Sequence, residues 1–190
     1  MGEFMKFEML ADSIKEINVK AGNIAKCAVN QLMTLRNWAI GYYIVEYEQG
    51  GSDRASYGTR LLKNLEEQIS EKGMNSTLFK WCRQFYLLYP QIGAAVSHQF
   101  GLPYFEKSAT ASHQFETKPE LLLNNLSFSH IRELLVIADD FERFFYETEC
   151  IKCNWTVREL RRQIKTNLYI RAGISKKPEL LLQETMGHPD

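Results

Sequence analysis

Apolar residues recur at alternating intervals of three and four over the first quarter of the chain. This spacing is typical of a heptad pattern and predicts one long helix with a single apolar stripe. Ser13 and Glu16 have the spacing of a capping box, so we expect the helix to begin there and to end at Gly50-Gly51. It would extend for roughly 45 Å. Its stripe consists of Ile14, Ile17, Ala21, Ile24, Ala28, Leu35, Trp38, Tyr42 and Val45, interrupted by Gln31.

Two further helices are predicted before residue 97. The first is capped by Ser52 or Asp53 and extends to Gly73, and the second extends from Ser76 until Pro90 terminates it. A polar stretch, residues 97–125, follows. It contains the tetrapeptide Ser-His-Gln-Phe twice and is predicted to be a loop or linker.

The last third of the chain is also predicted to be helical. Ser129, Asp139 and Thr156 each precede a helical pattern as a cap, and the last of these helices continues to about Gly173. The one strand candidate, residues 168–170, is too short to outweigh this reading. We therefore predict an all-α fold, a helical bundle with a long N-terminal helix and helix-turn-helix-like C-terminal helices.

The same patterns divide the chain into five segments. We expect a leader at the start, a helical subdomain, a polar linker, a helix-turn-helix-like subdomain, and a tail toward a domain that this chain lacks. These segments are residues 1–12, 13–96, 97–125, 126–173 and 174–190.

Charge is balanced globally and uneven locally. Lys plus Arg and Asp plus Glu both number 23, so net charge cannot attract a polyanion. Residues 154–177, however, contain seven basic residues against one acid. No stretch approaches the roughly 18 apolar residues of a membrane span, and no signal peptide is present. A cytoplasmic protein without a membrane partner is expected.

The last long helix is predicted to have two faces. Val157, Leu160, Ile164 and Leu168 share an apolar face, and a neighbouring arc of about 100° carries the basic residues. Arginines in the first turns of a capped helix are typical of helices that contact DNA phosphates and guanine edges. The alternative is the solvated face of an ordinary surface helix. The candidate contacts are Arg158, Arg161, Arg162 and Lys165.

A second group of candidate contacts is Lys80, Arg83 and Arg54. Lys80 and Arg83 lie beside aromatic residues, which can stack on bases. At this density the aromatic residues Phe79, Trp81, Phe85 and Tyr86 more often form a core, and we favour that interpretation.

No catalytic, metal or cofactor site is predicted. Cys150 and Cys153 have the spacing of half a zinc site, but no second pair of ligands accompanies them. The only Glu-x-Lys, Glu116-Thr117-Lys118, precedes the only Pro-Asp, which is the wrong order for a PD-(D/E)xK nuclease. No phosphate-binding loop or other catalytic motif is present, and no small-molecule substrate is expected.

Several motifs resemble the N-terminal domain of the YhcG-type family. The resemblance covers about residues 21–171 and implies a DNA-binding domain that is joined, in full-length members, to a C-terminal PD-(D/E)xK nuclease domain. A fainter resemblance links the last helices to the helix-turn-helix of ParB-type partition proteins. The motifs are Trp38-Ala39-Ile40-Gly41, Arg54-Ala55-x-Tyr57-Gly58, Arg83-x-Phe85-Tyr86, Leu126-Ser127-x-Ser129-His130-x-Arg132-Glu133 and Asn154-Trp155-Thr156-Val157-Arg158-Glu159-Leu160-x-Arg162-Gln163-Ile164.

Two functions therefore stand at this point. The first is a non-catalytic DNA-binding module that positions a nuclease domain outside this chain. The second is an assembly module whose long helix forms a homodimer or pairs with another subunit.

Overall fold

The computed structural model describes residues 7–50, 60–101 and 117–173, and these ranges contain nine α-helices, one 3₁₀ turn and no strand. The prediction of an all-α fold is confirmed. The helices are α1 (Phe7–Gly50), α2 (Leu61–Ile69), α3 (Ser76–Leu88), α4 (Gly93–Phe100), α5 (Pro119–Asn125), α6 (Phe128–Leu134), α7 (Asp140–Lys152), α8 (Val157–Lys165) and α9 (Leu168–Arg171), with the 3₁₀ turn at Pro90–Ile92.

Helix α1 is 44 residues long, which corresponds to about 66 Å. It begins at Phe7, so the predicted start at Ser13 is wrong and Ser13 lies inside the helix. Only the second half of α1 enters the bundle, where Leu35, Trp38 and Val45 are buried. The first half, up to about residue 30, projects from the bundle with its side chains largely exposed.

Helices α1 and α3 form the closest packing in the described chain. Gly41 of α1 lies so near the backbone of α3 that an added Cβ atom would be 2.0 Å from the carbonyl oxygen of Cys82. One turn away, the rings of Trp38 and Tyr86 meet edge to face with centroids 5.0 Å apart. A glycine in α1 therefore sets the distance between α1 and α3.

The main core is built from α1, α3, the 3₁₀ turn and α4 to α8, so helices before and after the predicted linker share it. Both ends of that predicted linker are helical. Residues 97–100 belong to α4, and residues 119–125 form α5, whose Leu122 and Leu123 are core residues. Residues 102–116 lie outside the described ranges. The division into subdomains stays a prediction.

The helix ends show which local signals were read correctly. Asp139 caps α7 by accepting the amide of Glu142, and Thr156 caps α8 with Glu159 in the expected capping box. Helix α6, however, is capped by Ser127 and not by Ser129, and the cap of α3 is Asn75. The last predicted helix is interrupted, because Asn167 adopts a left-handed conformation between α8 and α9. The strand candidate at 168–170 is helical, as we favoured.

Within residues 7–50, 60–101 and 117–173, no helix is both long enough and apolar enough to span a bilayer.

Candidate nucleic-acid interface

A tight turn joins α7 to α8 and fixes where the basic helix begins. The amide of Trp155 donates to the carbonyl oxygen of Cys150, and the amide of Asn154 donates to that of Ile151. Together with the left-handed conformation of Asn154, these bonds form a Schellman motif. The chain therefore leaves α7 and enters α8 within four residues, a connection length typical of helix-turn-helix units.

Helix α8 is anchored by its apolar face. Leu160 is completely buried, and Ile164 packs against the main core. The only acid of the helix, Glu159, turns back to its N-terminus and accepts hydrogen bonds from the amide and the hydroxyl of Thr156, at 2.7 and 2.8 Å. These bonds lower the pKa of Glu159. The single carboxylate of α8 thus caps the helix. It attracts Arg162 electrostatically, but the two side chains form no ion pair.

Three of the predicted contact residues share one exposed face of α8. Arg158, Arg162 and Lys165 lie within an arc of about 60° and are all exposed. Considering only residues 7–50, 60–101 and 117–173, none of the three side chains forms a hydrogen bond or an ion pair. Their donors are available to an anionic ligand. We call these three residues the basic face.

Arg161, the fourth predicted residue of α8, is engaged by the protein itself. Its Nε and Nη2 atoms donate to the two carboxylate oxygens of Glu133 on α6, at 3.0 and 2.6 Å. The hydrogen bonds from Arg161 lower the pKa of Glu133, and the same bonds raise the pKa of Arg161. The guanidinium of Arg161 is therefore not free in this structure, although its side chain remains 64% exposed. Its role as a DNA contact stays a prediction.

His130 ties α6 to the turn before α8. Its Nδ1 accepts the amide of Ser127 at 3.1 Å, and its Nε2 lies 3.1 Å from the carbonyl oxygen of Trp155. A ring nitrogen that accepts from an amide carries no proton, so Nε2 is the protonated atom and donates to Trp155. Burial lowers the pKa of His130, which favours this neutral form. Helices α6, α7 and α8 contact one another pairwise and form a three-helix unit.

The second group of candidates is less available than the basic face. Lys80 on α3 is exposed, but Arg83 donates to the carboxylate of Glu48 on α1 at 2.7 Å. Arg54 lies outside the described residues. Of the neighbouring aromatic residues, Phe79, Phe85 and Tyr86 are buried, so the interpretation as core is confirmed for these three. Trp81 is only partly buried and packs against the core.

Arg132 on α6 is an exposed cationic residue that was not among the sequence-predicted contacts. Its guanidinium lies 5.4 Å from the ring centroid of Trp81 on α3, in cation–π geometry, and the residue is exposed. It is also close enough to Glu133 to lower the pKa of that carboxyl group. The pairing joins residues 51 positions apart, so no local sequence signal could have revealed it.

The described cysteines and acids do not assemble into a metal site. Cys150 is buried, which raises the pKa of its thiol to about 12, whereas Cys153 is exposed. Within the parts of the chain that the structure describes, no group of three or more His, Cys, Asp or Glu side chains could hold a metal ion.

A largely apolar pocket of about 640 Å³ lies between α1 and α2. Its walls include Tyr43, Ile44, Leu61 and Leu65, with Glu46 as the one charged lining residue among those described. The pocket is therefore separate from the basic face, which lies on α8. A lone carboxylate beside aliphatic and tyrosine side chains offers no pairing of nucleophile and base.

The fold and this surface define a class: an all-α domain in which a capped basic helix is part of a three-helix unit. Comparison with family models identifies the family. Residues 13–171 match the DUF1016 N-terminal domain, and the chain belongs to this family. The predicted YhcG-type relationship is thereby confirmed.

One relative supports the same assignment. The chain is 32% identical over 187 residues to the protein named "Putative nuclease YhcG" of Escherichia coli (strain K12). The alignment covers 94% of this chain and 50% of that protein, so the chain spans about half the length of the relative. No solved structure matches the chain.

Proposed function

We propose that this chain is the DNA-binding N-terminal module of a YhcG-type nuclease and that it carries no catalytic residue of its own. In this proposal, α7 and α8 act as a helix-turn-helix, and the basic face of α8 contacts DNA phosphates. The relative is named as a nuclease and is about twice as long as the chain, which leaves room for a separate catalytic domain. A cytoplasmic location is part of the same proposal.

One observation supports this role above the others. Arg158, Arg162 and Lys165 lie on one exposed face, while the only carboxylate of the same helix is bound by its cap. Exposed cations are usually accompanied by nearby acids. On α8 the one acid, Glu159, attracts Arg162 electrostatically but forms no ion pair with any of the three cations. Because the chain as a whole has no net charge, attraction of a polyanion must come from such a local surface.

Binding of duplex DNA at several salt concentrations tests the proposal. Each neutralised phosphate contributes about 0.9 to the slope of log K against log salt, so three contacts predict a slope near −2.7. The double variant Arg158→Glu/Arg162→Glu is expected to abolish binding or to reduce the slope by about 2.

A matched control separates contact from overall charge. Lys26→Glu/Lys63→Glu changes the net charge by the same amount at exposed positions on α1 and α2. It is expected to retain most of the affinity and the full slope. Equal weakening by both double variants, or no salt-dependent binding of the unsubstituted chain at low salt, would contradict the proposal.

A further inference from the structure

The apolar stripe of α1 has two halves with different environments. From Leu35 onward its members are buried in the protein's own core or pack against it. The first half continues the same three-and-four spacing back to Leu10 and Phe7, and there Phe7 is 82% exposed, Ile17 66% and Ile24 70%. We call the stripe from Phe7 to Gln31 the open seam.

An open seam of this length is an unusual feature for a helix surface. It covers 25 residues, or about three and a half heptads, which is long enough for a stable coiled coil. Among the described residues, its only side-chain hydrogen bond to another helix joins Gln31 to Asn124 at its inner end. Contiguous exposed apolar surface of this kind marks an interaction site.

We propose that the open seam pairs with the open seam of a second copy of this chain, in antiparallel orientation. This inference concerns assembly and is independent of the DNA-binding role. In the register in which residue numbers of facing positions add up to 38, the two seams overlap over their whole length. Leu10 then faces Ala28 of the second copy and Ile17 faces Ala21, so that a large side chain meets a small one in these pairs. In the same register Ile14 faces Ile24, and Phe7 faces Gln31 at the ends.

The shape of the subunit favours the antiparallel direction. Beyond Gln31, the stripe is covered by the protein's own α5, whose Leu123 shares the core with Leu35. A parallel partner would bring its own bundle to the same place, next to the one that already covers the stripe. An antiparallel partner places the two bundles at opposite ends of the paired helices, where they do not compete for space.

The charges beside the seam also suit a second copy. The positions that flank it hold Ala11, Ser13, Asn18, Lys20, Ala25 and Cys27, of which only Lys20 is charged. Its Nζ is bound to Glu16 of the same helix at 2.6 Å. A partner of opposite charge would find little to recognise here, whereas two identical seams meet without a row of like charges.

Sedimentation of the 190-residue chain without DNA, over a wide range of concentrations, tests the pairing. We expect a monomer–dimer equilibrium. The variant Ile17→Glu/Ile24→Glu should weaken dimerisation at least 100-fold, since it would place carboxylates inside the apolar seam. Both residues are exposed in the single subunit, so its fold should be retained, which circular dichroism would verify.

Val19→Glu/Val29→Glu is the matched control. These valines are 59% and 54% exposed but lie on the side of α1 away from the seam. The control variant is expected to dimerise like the unsubstituted chain. The proposal would be overturned if the protein stayed monomeric at all concentrations. It would also be overturned if both double variants weakened the dimer, or if neither did. A protein that is always monomeric would point to another occupant of the seam, such as the remainder of a longer protein.

Distances between spin labels test the direction. With Cys27 and Cys153, the two exposed cysteines, replaced by Ser, a label at Glu8→Cys reports on the outer end of α1. The antiparallel register places the two labelled positions about 33 Å apart along the axis. A parallel pair would place them near the interaxial distance of about 10 Å, apart from the length of the labels, and that result would overturn the orientation.

Discussion

The hydroxyl of Tyr89 donates a hydrogen bond to Oε1 of Glu147 across 2.6 Å, in a part of the core that water does not reach. The second oxygen of Glu147 accepts the hydroxyl of Thr117 at 2.7 Å. The main chain of Tyr89 is held as well, because its carbonyl oxygen accepts the indole N–H of Trp38 at 2.8 Å. This network joins the end of α3 to α7, α1 and the residue pair before α5.

We expect Tyr89→Phe to destabilise the protein by about 1–3 kcal/mol. The substitution keeps the ring in place but leaves a buried carboxyl oxygen without its donor, which costs the desolvation of that group. Chemical denaturation followed by circular dichroism measures the effect. Tyr43→Phe, which removes the hydroxyl of an exposed tyrosine, should change stability by less than about 0.5 kcal/mol. An equal effect of the two substitutions would contradict the structural role of the network.

The close approach of α1 and α3 at Gly41 leads to a second prediction about packing. Gly41→Ala places a methyl group 2.0 Å from the carbonyl oxygen of Cys82, so α1 and α3 must separate, and we expect a loss of about 3 kcal/mol or more. Gly22→Ala is the control on the same helix, because nothing lies within 4 Å of its added Cβ atom. It should stabilise the helix by about 0.5–1 kcal/mol. Thermal unfolding of both variants checks the opposite signs.

The contrast between these glycines shows how far the sequence could be read. Signals that act within one turn, such as the caps at Asp139 and Thr156, predicted helix ends correctly. The same type of signal failed at Ser13, because the apolar spacing continues before it and the helix forms through the capping box. Helical spacing does not distinguish Gly41 from Gly22, since the difference in packing depends on which helix lies against each. Only the motif Trp38-Ala39-Ile40-Gly41 marks Gly41, and it does not say why.

The candidate site shows the same limit. Exposure of Arg158, Arg162 and Lys165 follows from helical spacing and could be predicted. The engagement of Arg161 could not, because its partner Glu133 is 28 positions away and reaches it only when α6 packs beside α8. Likewise, Arg83 donates a hydrogen bond to Glu48, which lies 35 positions earlier on α1. Pairing between distant segments depends on the fold and decides which cations stay free.

Removing the carboxylate that holds Arg161 should strengthen DNA binding. In Glu133→Gln the guanidinium is released beside the basic face and one negative charge disappears, so we expect affinity to rise several-fold and the salt slope to steepen by up to about 1. Glu67→Gln makes the same charge change at an exposed position of α2 and should have little effect. If both variants bind DNA alike, the Arg161–Glu133 pair does not adjoin the binding surface.

The hydrogen bonds of His130 predict a specific dependence of stability on pH. Burial lowers the pKa of His130 in the folded protein. As the pH falls below about 6.5, the imidazole is therefore protonated in the unfolded chain before it is protonated in the folded one. The contribution of neutral His130 to the free energy of unfolding is therefore fully present above that pH. It is lost as the pH decreases toward the lower pKa that His130 has in the folded state. Protonation would also remove the acceptor that Nδ1 offers to the amide of Ser127.

Unfolding by urea at about pH 7.5 and about pH 5.5 isolates this effect when the protein is compared with His130→Gln, which does not titrate in that range. We expect the stability difference between protein and variant to shrink at the lower pH. Glu147 acts in the opposite sense, because burial raises its pKa, but it is present in both proteins and cancels in the comparison. A difference that stays constant between the two pH values would mean that His130 is not held neutral between Ser127 and Trp155, and that the turn before α8 is fixed by the Schellman motif alone.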